Sequence, residues 1–307
     1  MKLPERVIIC EQGPRDGIQT VPQFIPTEKK VELVNALSGA GVPFMETVSF
    51  VSPRAIPQLR DAEDVLARIE RRPDTRYTAI VPNAAGASRA VQARADEIGI
   101  FLSASESHNR HNVNMSVQDS VRGLTDVMAI AGDAAIPVYG AIATCFGCPY
   151  EGDVPRERVA WVIEELLAVG CYRLVLGDTT GMANPRQVEE LMSYIVGRFP
   201  DTPISLHFHD NRGMALANIL AAMQVGVTRF DSAVGGLGGS PTPGAMGNVC
   251  SEDLVHMLHE MGIETGVNLE KLIECAKLAQ ALVGRPLDSH VAKSGPVNHG
   301  GGGSGCG

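Results

Sequence analysis

The sequence predicts an α/β chain folded as a (β/α)8 TIM barrel with additional C-terminal helices, and three observations predict it. Eight short apolar or β-branched runs fall within about 260 residues, segments of helical period separate them, and polar residues gather just past the C-terminal ends of the runs. The runs lie at 7–11, 43–49, 76–82, 97–102, 137–144, 172–177, 203–208 and 228–233. Between them apolar residues recur at three and four spacing, as in Val31, Leu33, Val34 and Leu37, and again in Val159, Trp161, Val162, Leu166 and Leu167. Pro26-Thr27-Glu28, Asp153-Val154-Pro155 and Asn184-Pro185 mark helix starts, and Gly41, Gly170 and Gly226 mark helix ends before the next run. The rival architecture, an open doubly wound sheet, needs a glycine-rich phosphate loop after its first strand. Here that place holds Glu11-Gln12-Gly13-Pro14-Arg15-Asp16-Gly17, with charges where the phosphate loop needs glycines.

Beyond the eighth run, 265–285 reads as one or two further helices. Residues 1–290 therefore form one catalytic domain, and 291–307, which ends in a run of glycines, reads as a mobile tail.

Composition narrows the function classes. The net charge is −9, which argues against a general grip on nucleic acid phosphates or anionic lipid. No apolar run approaches the roughly 20 residues that a membrane helix needs, and the opening Met1-Lys2-Leu3-Pro4-Glu5 has no apolar signal-peptide core. Seven cysteines, odd in number and widely spaced, fit a reducing cytoplasm.

In a barrel, the residues just past the strand ends converge on one mouth. They are Arg15 and Asp16 after the first run, Glu46 near the end of the second, Asp178 and Thr179 after the sixth, and His207-Phe208-His209-Asp210 at the seventh. The eighth leads through a glycine-rich loop to Asn248. Strand alternation puts His207 and His209 on one face with Phe208 on the other, an arrangement that suits a divalent metal and equally a pair of hydrogen-bonded core histidines. Asp16 and the Asn248 carbonyl would complete a mixed set of hard ligands, favouring Mg2+ or Mn2+ ahead of Zn2+.

The guanidinium of Arg15 keeps its proton and suits an oxygen that gains charge during a reaction. Glu46 stands where a core strand prefers an apolar residue, and a buried carboxylate needs a partner. Cys145-Phe146-Gly147-Cys148 has the spacing of a dithiol but no second pair, so packing is the preferred reading. The loop 232–247 carries Gly235, Gly236, Gly238, Gly239, Gly244 and Gly247, a composition for close approach to a ligand or for a lid.

The motifs Gly13-Pro14-Arg15-Asp16-Gly17-Ile18-Gln19, Glu46-Thr47-Val48-Ser49-Phe50-Val51-Ser52-Pro53, Gly147-Cys148-Pro149-Tyr150-Glu151-Gly152, Leu176-Gly177-Asp178-Thr179, His207-Phe208-His209-Asp210 and Gly235-Gly236-Leu237-Gly238-Gly239 resemble those of the 3-hydroxy-3-methylglutaryl-CoA lyases, metal-dependent enzymes built on a TIM barrel. The likeness runs in order from about residue 5 to 290. It implies retro-Claisen cleavage of a 3-hydroxy-3-methylglutaryl-CoA-like thioester into acetyl-CoA and a keto acid such as acetoacetate. It also implies a divalent metal on Asp16, His207, His209 and Asn248, and a base drawn from Asp178 and His207. Arg15 would stabilise the acetyl-CoA enolate, Glu46 and Gln19 would position neighbouring groups, and Gln19 and Thr179 would meet the substrate. An acyl-CoA partner and a homodimer follow from the same resemblance.

One position departs from the pattern. After Gly-Leu-Gly-Gly the lyases carry a cysteine that helps protonate the enolate, whereas this chain has Ser240, followed by a segment to Asn248 one residue shorter than usual. A hydroxyl is a much poorer acid than a thiol, whose pKa is about 8.5. Either water or another group supplies the proton, or the substrate is a related thioester such as citramalyl-CoA. Cys250, two residues past Asn248, could compensate, although packing at the start of the next helix is its preferred reading. A condensing synthase on the same barrel and a weakly active binding barrel are the remaining readings.

Overall fold

The computed structural model describes residues 1–239 and 247–298. Eight parallel strands close into a barrel in chain order, β1 (Ile8–Glu11), β2 (Phe44–Ser49), β3 (Arg76–Ile80), β4 (Glu97–Ser103), β5 (Val138–Ala143), β6 (Arg173–Asp178), β7 (Ile204–Phe208) and β8 (Arg229–Ser232), with β8 pairing back onto β1. Each predicted run holds its strand to within a residue or two at either end.

Helices α1 (Thr27–Gly39), α2 (Ala62–Arg68) and α3 (Ala84–Gln92) follow the first three strands. Three short helices, α4 (Glu106–Val113), α5 (Val117–Arg122) and α6 (Thr125–Asp133), follow the fourth. Then come α7 (Arg156–Ala168), α8 (Pro185–Arg198), α9 (Ala215–Gln224) and α10 (Ser251–Glu260). The predicted start at Asn184-Pro185 is a true cap, with the Asn184 side chain accepting from the Gln187 amide at 3.1 Å. Gly41, Gly170 and Gly226 turn each chain into the next strand at φ of +91°, +105° and +97°.

The segment beyond the barrel forms one long helix, α11 (Leu269–Val283), and a short one, α12 (His290–Ser294). The second extends packed structure into the stretch that sequence assigns to the tail. Asp253 of α10 holds it, accepting from Ser289 Oγ at 2.9 Å and from the amides of His290 and Val291 at 3.0 and 2.8 Å. Residues 299–307 lie outside the described residues.

The main apolar core lies between the barrel's outer face and its helices, where Leu33, Val34, Val162, Leu166, Ile195, Ile219 and Leu254 are sealed from solvent. The barrel interior is built differently. At its N-terminal end the even-numbered strands contribute Phe44, Glu97, Arg173 and Arg229, with Arg173 paired to Glu97 and both guanidiniums lying over the Phe44 ring. Above them Ile80, Tyr139 and Val175 form a separate apolar cluster flanked by Phe101 and Ala141, on the β3–β6 side. The opposite side carries Glu46, His207 and Asp231, so polarity divides the barrel across its width.

Among the described residues no helix is long and apolar enough to cross a membrane. Cys145 and Cys148 are buried free thiols, the first donating to the Ile142 carbonyl at 3.1 Å and the second sharing a hydrogen bond with Ser105 Oγ at 3.0 Å, as packing residues do.

Candidate active site

At the C-terminal mouth the chain leaves β1 in a wide turn, in which the amides of Arg15, Asp16 and Gly17 converge on the Gln12 carbonyl at 3.2, 2.8 and 3.2 Å. That turn brings two opposite charges to the mouth side by side. Asp16 is buried, and its carboxylate is fully engaged. Oδ1 accepts from Arg15 Nη1 at 3.0 Å and Gln19 Nε2 at 2.7 Å, while Oδ2 accepts from Asn248 Nδ2 at 2.8 Å. Burial alone would raise its pKa, but Arg15, His207, His209 and Asn248 outweigh burial and lower it, so Asp16 stays ionised. The rest of the Arg15 guanidinium, Nε and Nη2, pairs with Glu46 Oε1. Glu46 has the partner its burial demanded, and its second oxygen accepts from the Tyr139 hydroxyl.

Alternation along β7 acts as expected. Phe208 packs outward against Phe146 at 5.5 Å between ring centroids, and the rings of His207 and His209 lie 5.0 Å apart on the inner side. One ligand atom each from Asp16, His207 and His209 lies within 4.8 Å of the others, the spacing of a shared cation. The two imidazoles differ in their electrostatics. Burial, then His207, pushes His209 down to about 4, which keeps it neutral and able to ligate. Burial also acts to lower His207, but its Nδ1 lies 3.2 Å from Asp231 Oδ2, and Asp231 with Asp16 raises its pKa overall.

Asn248 reaches the site because the segment after the glycine loop runs back along the barrel, pairing with His209. Its amide donates to Asp16 and to the Leu237 carbonyl, which leaves Oδ1 buried with no protein partner. Gly238 permits this approach. It has φ of +109°, and a Cβ there would stand 2.4 Å from Asn248 Nδ2 and 2.6 Å from Asp16 Oδ2. An ionised carboxylate, a neutral imidazole and an orphaned amide oxygen together are the donor set of a hard divalent cation, so Asp16, His207, His209 and Asn248 fit the metal implied by the sequence.

Asp178 closes β6. Its Oδ1 accepts from the amides of Met182 and Ala183 at 2.8 and 3.1 Å, and its Oδ2 is buried without a protein partner. Burial pushes this carboxyl up to about 6 against those two amides. Thr179 uses its hydroxyl to accept from the Thr144 amide at 3.0 Å, just past the end of β5, and Gln19 uses its amide to brace Asp16 at 2.7 Å. Ser240 lies outside the described residues. Cys250 is buried, and burial, reinforced by Asp253 and Glu252, pushes its thiol pKa up. Its sulfur would sit 2.8 Å from a Cβ at Gly236, which is a packing position and not that of an acid.

Sequence reasoning missed four groups. Asp231 holds His207, Tyr139 holds Glu46, and two buried acids grip the root of the glycine loop. Glu11 accepts from the Val234 amide at 2.9 Å and Glu252 from the Gly235 amide at 3.0 Å. An acid at an inward strand position was the available signal for Asp231, since Arg229 and Asp231 share the face opposite the apolar Phe230.

Residues 6–279 match the HMGL-like family model. A hydroxymethylglutaryl-CoA lyase of Bacillus subtilis is 47% identical over 290 residues, spanning 94% of this chain and 97% of the relative. The mitochondrial hydroxymethylglutaryl-CoA lyase of Rattus norvegicus is 44% identical over 293 residues, spanning 95% and 90%. An HMG-CoA lyase structure from Acinetobacter baumannii, in complex with coenzyme A and 3-methylmalate, superposes with a TM-score of 0.91 at 44% identity over 95% of this chain and 96% of that one. The family match spans all eight strands and the segments that bear Arg15, Asp16, His207, His209 and Asn248, and the chain belongs to the HMGL-like family.

Proposed function

We propose that the protein is a carbon-carbon lyase that cleaves 3-hydroxy-3-methylglutaryl-CoA to acetyl-CoA and acetoacetate with a divalent cation, Mg2+ or Mn2+. The observation that carries this reading is the convergence of Asp16, His207 and His209 within 4.8 Å beside an Arg15 guanidinium already oriented by Glu46. The A. baumannii relative bound coenzyme A and 3-methylmalate, which supports an acyl-CoA thioester here. Burial of free, unpaired thiols accords with a cytoplasmic site of action.

Asp16, His207, His209 and Asn248 would hold the cation, which when bound supplies the positive charge that lowers the pKa of a substrate hydroxyl. The protein's own residues account for the rest. Asp178 Oδ2, buried and unpartnered, accepts the C3 hydroxyl proton. As the C3 carbonyl forms, the C2–C3 bond breaks and its electron pair passes to the thioester as an enolate. Arg15 holds the enolate oxygen, water delivers a proton to C2 to complete acetyl-CoA, and Asp178 releases the hydroxyl proton to solvent, so that protons balance. Asp231 keeps His207 oriented throughout.

The direct test is acetyl-CoA release from 3-hydroxy-3-methylglutaryl-CoA and from citramalyl-CoA in the presence of Mg2+. Faster release from the first is expected. Release from citramalyl-CoA alone would transfer the reading to that substrate. The pH profile checks the base. Asp178 works only when ionised and is held at about 6, so kcat/KM should be on its plateau above neutral pH and fall about tenfold per unit below 6. Asp178→Asn should remove both that limb and most of the activity. A variant that retains the acid limb assigns the base to another group.

A further inference from the structure

Tyr139 stands in the barrel interior between two ion pairs, and the reaction outlined above gives it no role. Its ring lies under the Arg173 guanidinium, 3.9 Å from the ring centroid, and Arg173 is itself fixed by two hydrogen bonds to the fully buried Glu97, at 3.0 and 2.7 Å. Ile80 and Val175 flank the ring. The hydroxyl at the ring's far end donates to Glu46 Oε2, while Glu46 Oε1 takes Arg15. The sequence makes room for this phenol. Gly99, directly across from Tyr139 in the β4–β5 register, has no side chain, and a Cβ there would lie 2.4 Å from Tyr139 Cζ and 2.5 Å from its hydroxyl. A ring clamped on its faces, with a glycine opposite and its polar end on a site carboxylate, is a built feature and not incidental packing.

The physical consequence follows from burial. Glu46 is only 5% exposed, so each of its oxygens needs a donor from the protein. With both engaged the carboxylate has a single orientation, and Oε1 is locked onto the Nε and Nη2 edge of Arg15. Without the phenol donor, Oε2 is left bare, and the carboxylate is free to turn or to take up a proton. Either change loosens Arg15.

We propose that Tyr139 is a positioning residue for this site, fixing Glu46 through its hydroxyl and, through Glu46, the guanidinium of Arg15. The kinetic part of the test rests on the lyase reading and the spectroscopic part does not.

Tyr139→Phe keeps the ring, its stacking under Arg173 and its packing on Ile80 and Val175, and removes one hydroxyl. In kinetics with Mg2+, kcat should fall roughly tenfold while KM for the thioester and the Mg2+ activation constant stay within about twofold, the split expected when only transition-state stabilisation is lost. Combining Tyr139→Phe with Glu46→Gln should produce an enzyme no slower than Glu46→Gln alone, because the phenol acts through that carboxylate. Fully additive losses overturn the proposal. Independently of turnover, the Arg15 Nε–H signal in a 15N–1H spectrum, assigned by its disappearance in Arg15→Lys, should be exchange-protected in the wild type and lose that protection in Tyr139→Phe. Gly99→Ala, which displaces the phenol without removing it, should do the same. An Arg15 signal unchanged in both variants overturns the proposal, whichever substrate the wild type accepts. Failure of the wild type to cleave 3-hydroxy-3-methylglutaryl-CoA counts against the lyase reading alone.

Discussion

Asp16→Ala is expected to lower kcat/KM by about 10³-fold or more, to abolish stoichiometric binding of Mg2+ or Mn2+, and to leave the barrel folded. The size of the effect follows from how many groups this carboxylate organises. It is the one ionised ligand of the proposed set, and it draws together Arg15, Gln19 and Asn248 at 2.7–3.0 Å. Alanine leaves His207, His209 and Asn248 as the remaining ligands, none of them anionic, and neutral ligands alone hold a hard dication weakly. The fold survives because Asp16 lies at the mouth, outside the apolar core between strands and helices, and Arg15 retains Glu46. Calorimetric titration with Mg2+, a thermal melt and steady-state kinetics check the three parts. A chelated Asp16→Ala enzyme working within tenfold of wild type would exclude the metal mechanism.

The legibility of this protein in its sequence divides along the same line as its structure. Strands such as β2 and β6 were readable because a buried parallel strand needs a short apolar run, and a glycine at positive φ, Gly41 or Gly170, turns the chain towards it. Arg15 and Asp16 were readable as charges at a strand end, and His207 and His209 as a pair that strand alternation puts on one face. Tyr139 and Asp231 were not readable in the same way. Each sits within a strand and finds its partner 93 or 24 residues away in sequence, where only the closed register brings them together. Gln19 and Thr179 show the reverse case. Their positions near the mouth were evident, but hydrogen bonds to Asp16 and Thr144 depend on side-chain directions that spacing does not encode. Helix α12 was hidden for a similar reason, since its stability comes from Asp253 on α10 and not from its own five residues.

Arg15→Lys is expected to cost about 10²- to 10³-fold in kcat with a much smaller change in KM, although the charge is conserved. Arginine presents five N–H donors in a fixed plane. Here Nε and Nη2 face Glu46 and Nη1 faces Asp16, an arrangement that holds the guanidinium rigidly while part of its donor capacity remains for an oxygen of the bound thioester. A lysine ammonium is a point donor on a flexible stem. It could satisfy Glu46 or Asp16, but it cannot brace against both and still offer a fixed donor to the enolate oxygen. Because that oxygen gains its charge only as the C2–C3 bond breaks, the loss belongs to the transition state and should appear in kcat. At about 1.4 kcal/mol per tenfold, the expected loss corresponds to roughly 3–4 kcal/mol, the scale of removing one preorganised donor from an oxyanion site. Steady-state kinetics on purified, metal-saturated enzyme, with thermal melts confirming the fold, are sufficient. If Arg15→Lys keeps kcat within a few-fold of wild type, charge alone suffices, and the planar geometry imposed by Glu46 is not what the reaction uses.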